Sequence, residues 1–283
     1  MSIDADERLE KYLERIGPTL WPRVFCCESS RSFYCPECCQ ILVPPEEWPS
    51  AIREKTLRLP FEIDILLDKK ERKTSSTGIQ LFSIFSAIHS SCSQSEGTTK
   101  RESNPQVRLY DLGRERVPSY EPEEAGTYVL FPDKGSVPIT SVAGDIRKLV
   151  VLDIKWTRQN VKVDPGITSL PKVHLESPPA KSRFWRWHNC GEGMLSTIEA
   201  IYFAAMEVTA GLWTPEERER LIQMMWLFAL QHAVIHHRSE LESRPTPFSE
   251  EGKEIRREMR TRQTRNPPKK KSEPGQFYKD LLH

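Results

Sequence analysis

The sequence predicts an α/β protein, because short apolar runs of strand character alternate with helix-start signals. Residues 148–153, Lys-Leu-Val-Val-Leu-Asp, form a continuous apolar run that ends in a carboxylate, a pattern typical of a parallel strand buried on both faces. Residues 127–131 form a second short run, which Pro132 closes. Ser196 and Thr214 each precede a Glu by three residues, the capping-box pattern that begins a helix.

The N-terminal part of the chain contains two further helices and one strand. Residues 5–16 place apolar side chains at helical spacing on a charged segment, which predicts an amphipathic helix. Residues 59–67 alternate as a strand does, and residues 79–89 suit a buried helix. The small and polar residues 90–104 predict an exposed loop.

In the C-terminal part, residues 136–147 must connect the two apolar strands. The helix that follows Ser196 is expected to extend to about Ala210. A second helix, with Pro215 at its first position, is expected to extend to about His237.

The charge of the chain is balanced overall but not locally. Its 283 residues include Lys+Arg 41 and Asp+Glu 40, for a net charge of +1. No run approaches the roughly 20 apolar residues of a membrane helix, and the acidic start is not typical of a signal peptide, so we expect neither a membrane nor a secreted protein. Residues 252–271 carry nine basic and two acidic side chains, typical of a solvated tail, a phosphate-binding segment or a nuclear-targeting patch. We therefore expect the nucleus or the cytosol.

Five of the seven cysteines are concentrated near the N-terminus, at Cys26, Cys27, Cys35, Cys38 and Cys39. Without a signal peptide we expect reduced thiols rather than a disulfide framework. Cys35 and Cys38 form a C-x2-C pair, and tetrahedral Zn²⁺ uses four such ligands. Two of the other three cysteines would complete the set, and we take Cys26 and Cys27. The alternative is a small turn that holds reduced thiols without a metal.

Four segments lie at predicted loop or helix-entry positions: Leu130-Phe131-Pro132, Asp153-Ile154-Lys155-Trp156, Phe184-Trp185-Arg186 and Leu195 to Ala200. The carboxyl ends of parallel strands line the ligand crevice of an α/β sheet. Ser196 and Thr197 lie at a helix start, where free backbone N–H groups favour an anion. Each segment also has a structural explanation. Asp153 can cap a turn, Glu199 can cap its own helix, and Trp156 can pack in the core.

Taken in order, these segments resemble the DTW-domain family of tRNA-uridine aminocarboxypropyltransferases. The resemblance extends to Phe33 to Cys38, Leu59 to Ile65, Ser76-Thr77 and Tyr120-Glu121, and it covers about residues 26–235. It is closest to the eukaryotic branch, whose cysteine pairs precede the catalytic domain. One position departs from the family's D-x-T-W signature, because Lys155 replaces a hydroxyl with a cation that only donates.

The resemblance implies a knotted, SPOUT-like parallel sheet with flanking helices, and S-adenosylmethionine as co-substrate. It implies transfer of the 3-amino-3-carboxypropyl group to N3 of a tRNA uridine, in the D-loop, with methylthioadenosine as the second product. Because many SPOUT-like enzymes are dimers, a homodimer is one expected state. The implied division is an N-terminal helix (1–20), a zinc-ribbon-like module (21–47), the DTW catalytic domain (48–245) and a flexible basic tail (246–283).

The resemblance, combined with the chemistry, also assigns roles to residues. Asp153 is the expected general base for the N3 proton, or the acceptor that orients the uridine. Trp156 would stack on the base, and Lys155 would reach a tRNA phosphate. The residues expected to bind the co-substrate are Leu130, Phe131, Pro132, Arg186, Leu195, Ser196, Thr197 and Glu199.

Two other functions fit the same residues. One is an S-adenosylmethionine-dependent RNA methyltransferase of the same knotted class, which would release S-adenosylhomocysteine. The other is a zinc-ribbon protein that binds tRNA and has lost catalysis, for which Lys155 and the irregular cysteine spacing are the support.

Overall fold

The structure is a computed structural model that describes residues 2–19, 21–90, 106–116, 118–120, 125–155, 165–185, 194–241 and 254. Several sequence predictions concern residues outside these ranges: Glu121, Trp156, Arg186 and the tail at 246–283 with its basic stretch, apart from Glu254. Most of the loop predicted at 90–104 also lies outside them.

Seven helices and eight strands are present in the described part of the chain. The helices are α1 Ser2–Arg15, α2 Ser50–Arg53, α3 Thr77–Ser90, α4 Pro165–Thr168, α5 Thr197–Val208, α6 Pro215–Leu221 and α7 Trp226–Leu241. The strands are β1 Val24–Cys26, β2 Ser29–Arg31, β3 Glu62–Leu67, β4 Val107–Asp111, β5 Thr127–Leu130, β6 Val137–Pro138, β7 Lys148–Asp153 and β8 Lys172–His174.

Six strands form one parallel sheet in the order β4-β3-β7-β5-β8-β6, which confirms the α/β class. β7 lies between β3 and β5 and is almost wholly buried, as its continuous apolar sequence predicts. Its last residue, Asp153, is in register with Leu67 of β3, and Leu130 of β5 lies opposite Val151. These strand ends form one side of the sheet, called the carboxyl edge below.

The main hydrophobic core joins the sheet to the helices and to the N-terminal segments. α3 contacts α5 and α7, and α1 contacts the same two helices. Leu9 and Tyr12 of α1, and Phe33 and Tyr34 of the cysteine-rich segment, are buried in the same core as Ile63 of β3. Residues 2–15 and 24–43 therefore contribute to the same core as the parallel sheet and its helices.

Two sequence predictions differ from the fold. The helix predicted from Pro215 to about His237 is two helices, α6 and α7, separated by a 3-10 turn at Ile222–Met225. The sequence analysis does not predict strands β1, β2, β4, β6 and β8, because they are short and only partly buried, so their sequences carry a weak strand pattern. No helix in the ranges described is long and apolar enough to cross a membrane.

Candidate functional site

Asp153 is the centre of the hydrogen-bonded group at the carboxyl edge. Its side chain is buried, with the residue 5% exposed. The hydroxyl of Ser76 donates to Oδ2 at 2.5 Å, and that of Thr197 donates to Oδ1 at 2.9 Å. Ser76 precedes α3, and Thr197 is the first residue of α5. The carboxylate thus ties the end of β7 to the starts of two helices.

The surroundings of Asp153 favour its neutral form more than an exposed site would. Burial raises the pKa of Asp153 to about 6, even though the hydroxyls of Ser76 and Thr197 and the backbone N–H of Gly78 lower it. The nearby Glu71 carboxylate also raises this pKa. No ion pair reaches Asp153 from any described residue. A carboxyl group that titrates near neutral pH is suited to proton transfer.

Gly78 allows α3 to approach Asp153 closely. A Cβ at this position would lie 2.6 Å from Asp153 Oδ2 and 2.9 Å from Ile65 Cγ2, distances that side chains do not adopt. The neighbouring Thr77 accepts a hydrogen bond from the backbone N–H of Ile198 at 3.2 Å, which links the starts of α3 and α5. The sequence Ser76-Thr77-Gly78 therefore belongs to the site, although only its first two residues entered the sequence analysis.

Glu199 is a second buried carboxylate, and its partners are all protein groups. It accepts from the Ser196 backbone N–H at 2.9 Å and from the Ser196 hydroxyl at 2.6 Å. It also accepts from the Ser182 hydroxyl and the Arg183 backbone N–H, both at 2.6 Å. Burial raises the pKa of Glu199, and these four hydrogen bonds lower it. The predicted capping box is present, and it also fixes residues 182–183 to α5.

The start of α5 uses some of its own N–H donors. The Ser196 N–H bonds to Glu199 and the Ile198 N–H bonds to Thr77. These two donors are therefore engaged within the protein, while the anion site predicted at Ser196 and Thr197 stays a prediction. Thr197 itself is half-buried, so its hydroxyl is the more accessible partner of Asp153.

The residues around Asp153 differ in how much surface they offer. Leu130 is buried in the main core, whereas Phe131 packs on the opposite face of the sheet, as alternation along a strand requires. Phe131, Pro132 and Leu195 are half-buried, and Lys155 is exposed two residues beyond Asp153. The half-buried side chains offer apolar surface at the strand ends, and Lys155 adds a long cationic side chain nearby. Such a surface can hold a flat ring and a charged group.

The aromatic pair of the Phe184-Trp185-Arg186 segment belongs to the core. Phe184 and Trp185 are both buried, with ring centroids 4.6 Å apart. The Trp185 ring lies 5.1 Å from that of Phe228 in α7. Burial and stacking explain these two aromatic residues without a ligand.

Four cysteine sulfurs converge in the N-terminal segment. The Sγ atoms of Cys26, Cys27, Cys35 and Cys38, called the cysteine cluster below, all lie within 4.8 Å of one another. Cys26 Sγ lies 3.6 Å from Cys38 Sγ and 4.0 Å from Cys27 Sγ. Four thiolates around one Zn²⁺ at about 2.3 Å lie ~3.8 Å apart, so this donor set fits zinc.

Backbone geometry explains how adjacent cysteines reach one point. Cys27 and Glu28 have positive φ angles of 45° and 62°, so the β1–β2 turn is tight. Burial would raise the pKa of Cys35, but hydrogen bonds from the backbone N–H groups of Cys38 and Glu37 lower it to about 7. Hydrogen bonding with Cys38 raises the pKa of Cys26 and of Cys27, so among these three thiols Cys35 most readily supplies the thiolate that binds a metal. Cys39 is outside the cluster and packs against the main core.

Comparison with known proteins points to one group of enzymes. The chain is 25% identical over 255 residues to tRNA-uridine aminocarboxypropyltransferase 1 of Xenopus laevis, covering 74% of this chain and 78% of the relative. The protein of the same name in Xenopus tropicalis is 23% identical over 277 residues, covering 82% and 84%. That of Mus musculus is 22% identical over 257 residues, covering 74% and 75%. No protein-family model and no solved structure matches the chain.

Proposed function

We propose that this protein transfers the 3-amino-3-carboxypropyl group of S-adenosylmethionine to N3 of a uridine in the tRNA D-loop. The products are 3-(3-amino-3-carboxypropyl)uridine and methylthioadenosine. The observation that carries the proposal is the buried Asp153, held at the carboxyl edge by the starts of α3 and α5. Similarity to tRNA-uridine aminocarboxypropyltransferases over about three quarters of the chain supports the same reaction.

The reaction removes the proton of uridine N3 and exchanges the C–S bond of the donor for an N3–C bond. Uridine N3 loses its proton and then attacks the γ-carbon of the donor's amino-acid side. The N3–C bond forms as the C–S bond of the sulfonium breaks, and neutral methylthioadenosine leaves. The leaving group is good, so the protein mainly has to hold N3 in line with the γ-carbon and accept the N3 proton.

Asp153 acts in this scheme as the proton acceptor and as the group that orients the uridine. Because it is buried, the proton reaches it through Thr197, whose half-buried hydroxyl donates to Asp153 Oδ1. Thr197 takes the N3 proton as its own proton passes to the carboxylate. Ser76 keeps the second oxygen in place.

The co-substrate residues divide by burial into two groups. Phe131, Pro132, Leu195 and Thr197 are half-buried and are proposed to touch S-adenosylmethionine directly. Leu130, Ser196 and Glu199 are buried and would shape the site from behind. Arg186 is proposed to pair with the carboxylate of the donor, Trp156 to stack on the uracil, and Lys155 to reach a tRNA phosphate.

The sheet is proposed to be the knotted, SPOUT-like one. Its strand order supports this, because β7 lies between two earlier strands, β3 and β5, and β8 lies between β5 and β6. A knot also requires the chain to pass through a loop formed by an earlier segment, and insertion of later strands between earlier ones is compatible with such a path. We further propose the division at residues 1–20, 21–47, 48–245 and 246–283, a homodimer, and a nuclear or cytosolic location directed by the basic tail.

The product assay tests the function directly. Full-length protein, S-adenosylmethionine and unmodified tRNA are incubated, and the digested nucleosides and free small molecules are identified by mass spectrometry. Aminocarboxypropyluridine and methylthioadenosine are expected in equal amounts. A methylated nucleoside with S-adenosylhomocysteine would instead identify a methyltransferase. Tight tRNA binding by folded protein without any product would identify a diverged binding protein.

Zinc is the metal we propose for the cysteine cluster, and it supplies there a structural cross-link between two chain segments. Metal analysis of the purified protein should find one zinc per chain. Cys38→Ser should lose it, whereas the matched control Cys39→Ser should retain it, because Cys39 is outside the cluster. Equal loss in both variants would show that the ligand set is wrong.

A further inference from the structure

Lys73 joins the turn that precedes Ser76 to the cysteine-rich segment and to the end of β4. Its Nζ lies 3.4 Å from Glu37 Oε2 and 3.1 Å from Asp111 Oδ2. Glu37 lies between Cys35 and Cys38 of the cysteine cluster, and Asp111 is the last residue of β4. The Lys73 and Asp111 side chains are 21% and 18% exposed, so their pair is partly shielded from solvent and salt, whereas the Glu37 side chain is 40% exposed.

The backbone of Lys73 also fixes the donor to Asp153. Residues Lys73–Ser75 form a 3-10 turn, and the carbonyl of Lys73 accepts from the N–H of Ser76 at 3.3 Å. Glu71 closes the same turn, accepting from the Ser75 hydroxyl at 2.8 Å. Ser76 then donates to Asp153. Ser76 is thus held from two sides, by the Lys73 carbonyl and by the Ile79 N–H that donates to its hydroxyl at 3.1 Å, and a displacement of the Lys73 backbone removes the first of these.

We infer that Lys73 is a positioning residue that couples metal binding at the cysteine cluster to the Ser76–Asp153 hydrogen bond, and so makes the proposed transfer reaction dependent on the metal. A bound ion fixes the Cys35–Cys38 segment, and with it the carboxylate of Glu37 that holds Lys73. Without the ion that segment can relax, and Lys73 keeps only Asp111. The consequence for the reaction rests on the proposed function, whereas the coupling itself does not.

The coupling has a signature in the titration of Asp153. The groups that face this carboxyl are the hydroxyls of Ser76 and Thr197, the Gly78 N–H and the Glu71 carboxylate. The Ser76 hydroxyl lowers the pKa of Asp153, so weakening this bond raises that pKa. Asp68, which follows β3, donates its backbone N–H to the Asp153 carbonyl and marks the same edge.

The test is a ¹³C NMR titration of the Asp153 carboxyl in full-length, zinc-loaded protein, assigned with Asp153→Asn. Lys73→Met keeps the apolar stem and removes the charge. It should raise the titration midpoint in the same direction as Ser76→Ala, and the double variant should shift no further than Ser76→Ala alone. Removing the metal from the wild type with a chelator should also raise the titration midpoint of Asp153. In Lys73→Met, chelation should cause no further rise of that midpoint.

The enzyme assay provides the second readout. Lys73→Met should lower kcat about tenfold or more, because Asp153 is misplaced. The acid limb of the pH–rate profile should move to higher pH, and the zinc content should stay unchanged. The matched control is Arg218→Met. Its guanidinium lies 3.1 Å from Asp4 Oδ2 and joins α6 to α1, with a similar side-chain exposure of 19%. This variant should leave both the Asp153 titration and kcat unchanged.

The outcomes separate the coupling from the function. If wild-type protein makes no aminocarboxypropyluridine but its Asp153 titration responds both to Lys73→Met and to chelation, the coupling holds and the function fails. If the titration ignores either Lys73→Met or chelation, the coupling is wrong, whether or not the protein is active. Where Lys73→Met does not fold, Glu37→Gln breaks the same ion pair from the other side and is judged by the same criteria.

Discussion

Two buried aspartates on adjacent strands of the sheet have different surroundings. Asp64, in the middle of β3, lies 3.4 Å from the Arg108 guanidinium and accepts from the Tyr120 hydroxyl at 3.0 Å. Asp153, at the end of β7, is held by neutral hydroxyls, and no described cation pairs with it. A cation offsets much of the cost of burying a carboxylate, whereas hydroxyl groups offset only part of it. The sheet interior thus contains a structural carboxylate, and the carboxyl edge contains one that is suited to chemistry.

The largest expected effect separates these two residues by activity. Asp153→Asn removes the proton acceptor and should reduce the transfer rate by at least about 100-fold. Asp64→Asn, a change of the same size at an equally buried position, should retain the wild-type rate. The rates are measured as methylthioadenosine release under saturating tRNA. Similar losses in both variants would mean that any buried aspartate of the sheet matters equally, and the proposed role of Asp153 would be withdrawn.

The next effect concerns stability as a function of pH. Because burial raises the pKa of Asp153 from 3.8 to about 6, the folded protein holds a proton in this range that the unfolded chain has released. The resulting stabilisation is present at low pH and is lost as pH rises through about 6. Between pH 4 and pH 7 the wild type should therefore lose about 2–3 kcal/mol of unfolding free energy relative to Asp153→Asn.

Urea unfolding of the two proteins at several pH values measures this difference, and Asp64→Asn controls for the removal of a buried carboxyl elsewhere in the sheet. A difference between wild type and Asp153→Asn that does not change with pH would contradict the raised pKa of Asp153.

The smallest effect tests how closely the site is packed. Gly78→Ala places a methyl group 2.6 Å from Asp153 Oδ2, so we expect a loss of about 1–3 kcal/mol in stability from overpacking. Activity should fall by more than this loss explains, since the methyl group displaces the carboxylate. Gly144→Ala is the control, because its Cβ would meet nothing within 4 Å. Both variants are compared by thermal unfolding and by the transfer assay. If Gly78→Ala is as stable and as active as Gly144→Ala, the close packing of Gly78 against Asp153 is wrong.

Sequence patterns predicted the elements whose signals are local and strong. Strand β7 ends at Asp153 as its apolar run indicates, and α5 begins after Ser196 with the predicted capping box. Strand β8, with three residues, has too few positions for an alternating pattern and is recognised only by its pairing with β5 and β6. The 3-10 turn at Ile222–Met225 is mostly buried, so hydrophobicity continues through it and hides the break.

The metal ligands illustrate the same boundary. The spacing of Cys35 and Cys38 identified one pair from sequence alone. The sequence analysis selected Cys26 and Cys27 from the other three cysteines, but spacing carries no information about φ and did not exclude Cys39. The positive φ angle at Cys27 directs two adjacent sulfurs to one point, and the four selected cysteines form the cluster.

The sequence by itself determined the α/β class, the strand that carries Asp153, the helix start at Ser196 and the C-x2-C pair, since each of these depends on residues within one turn or one strand. Only the tertiary structure decided what surrounds Asp153. Its partners Ser76 and Thr197 are 77 and 44 residues away in the chain. Hydrogen bonds form only when donor and acceptor lie about 3 Å apart, and only a parallel sheet flanked by packed helices brings one strand end and two helix starts to that distance.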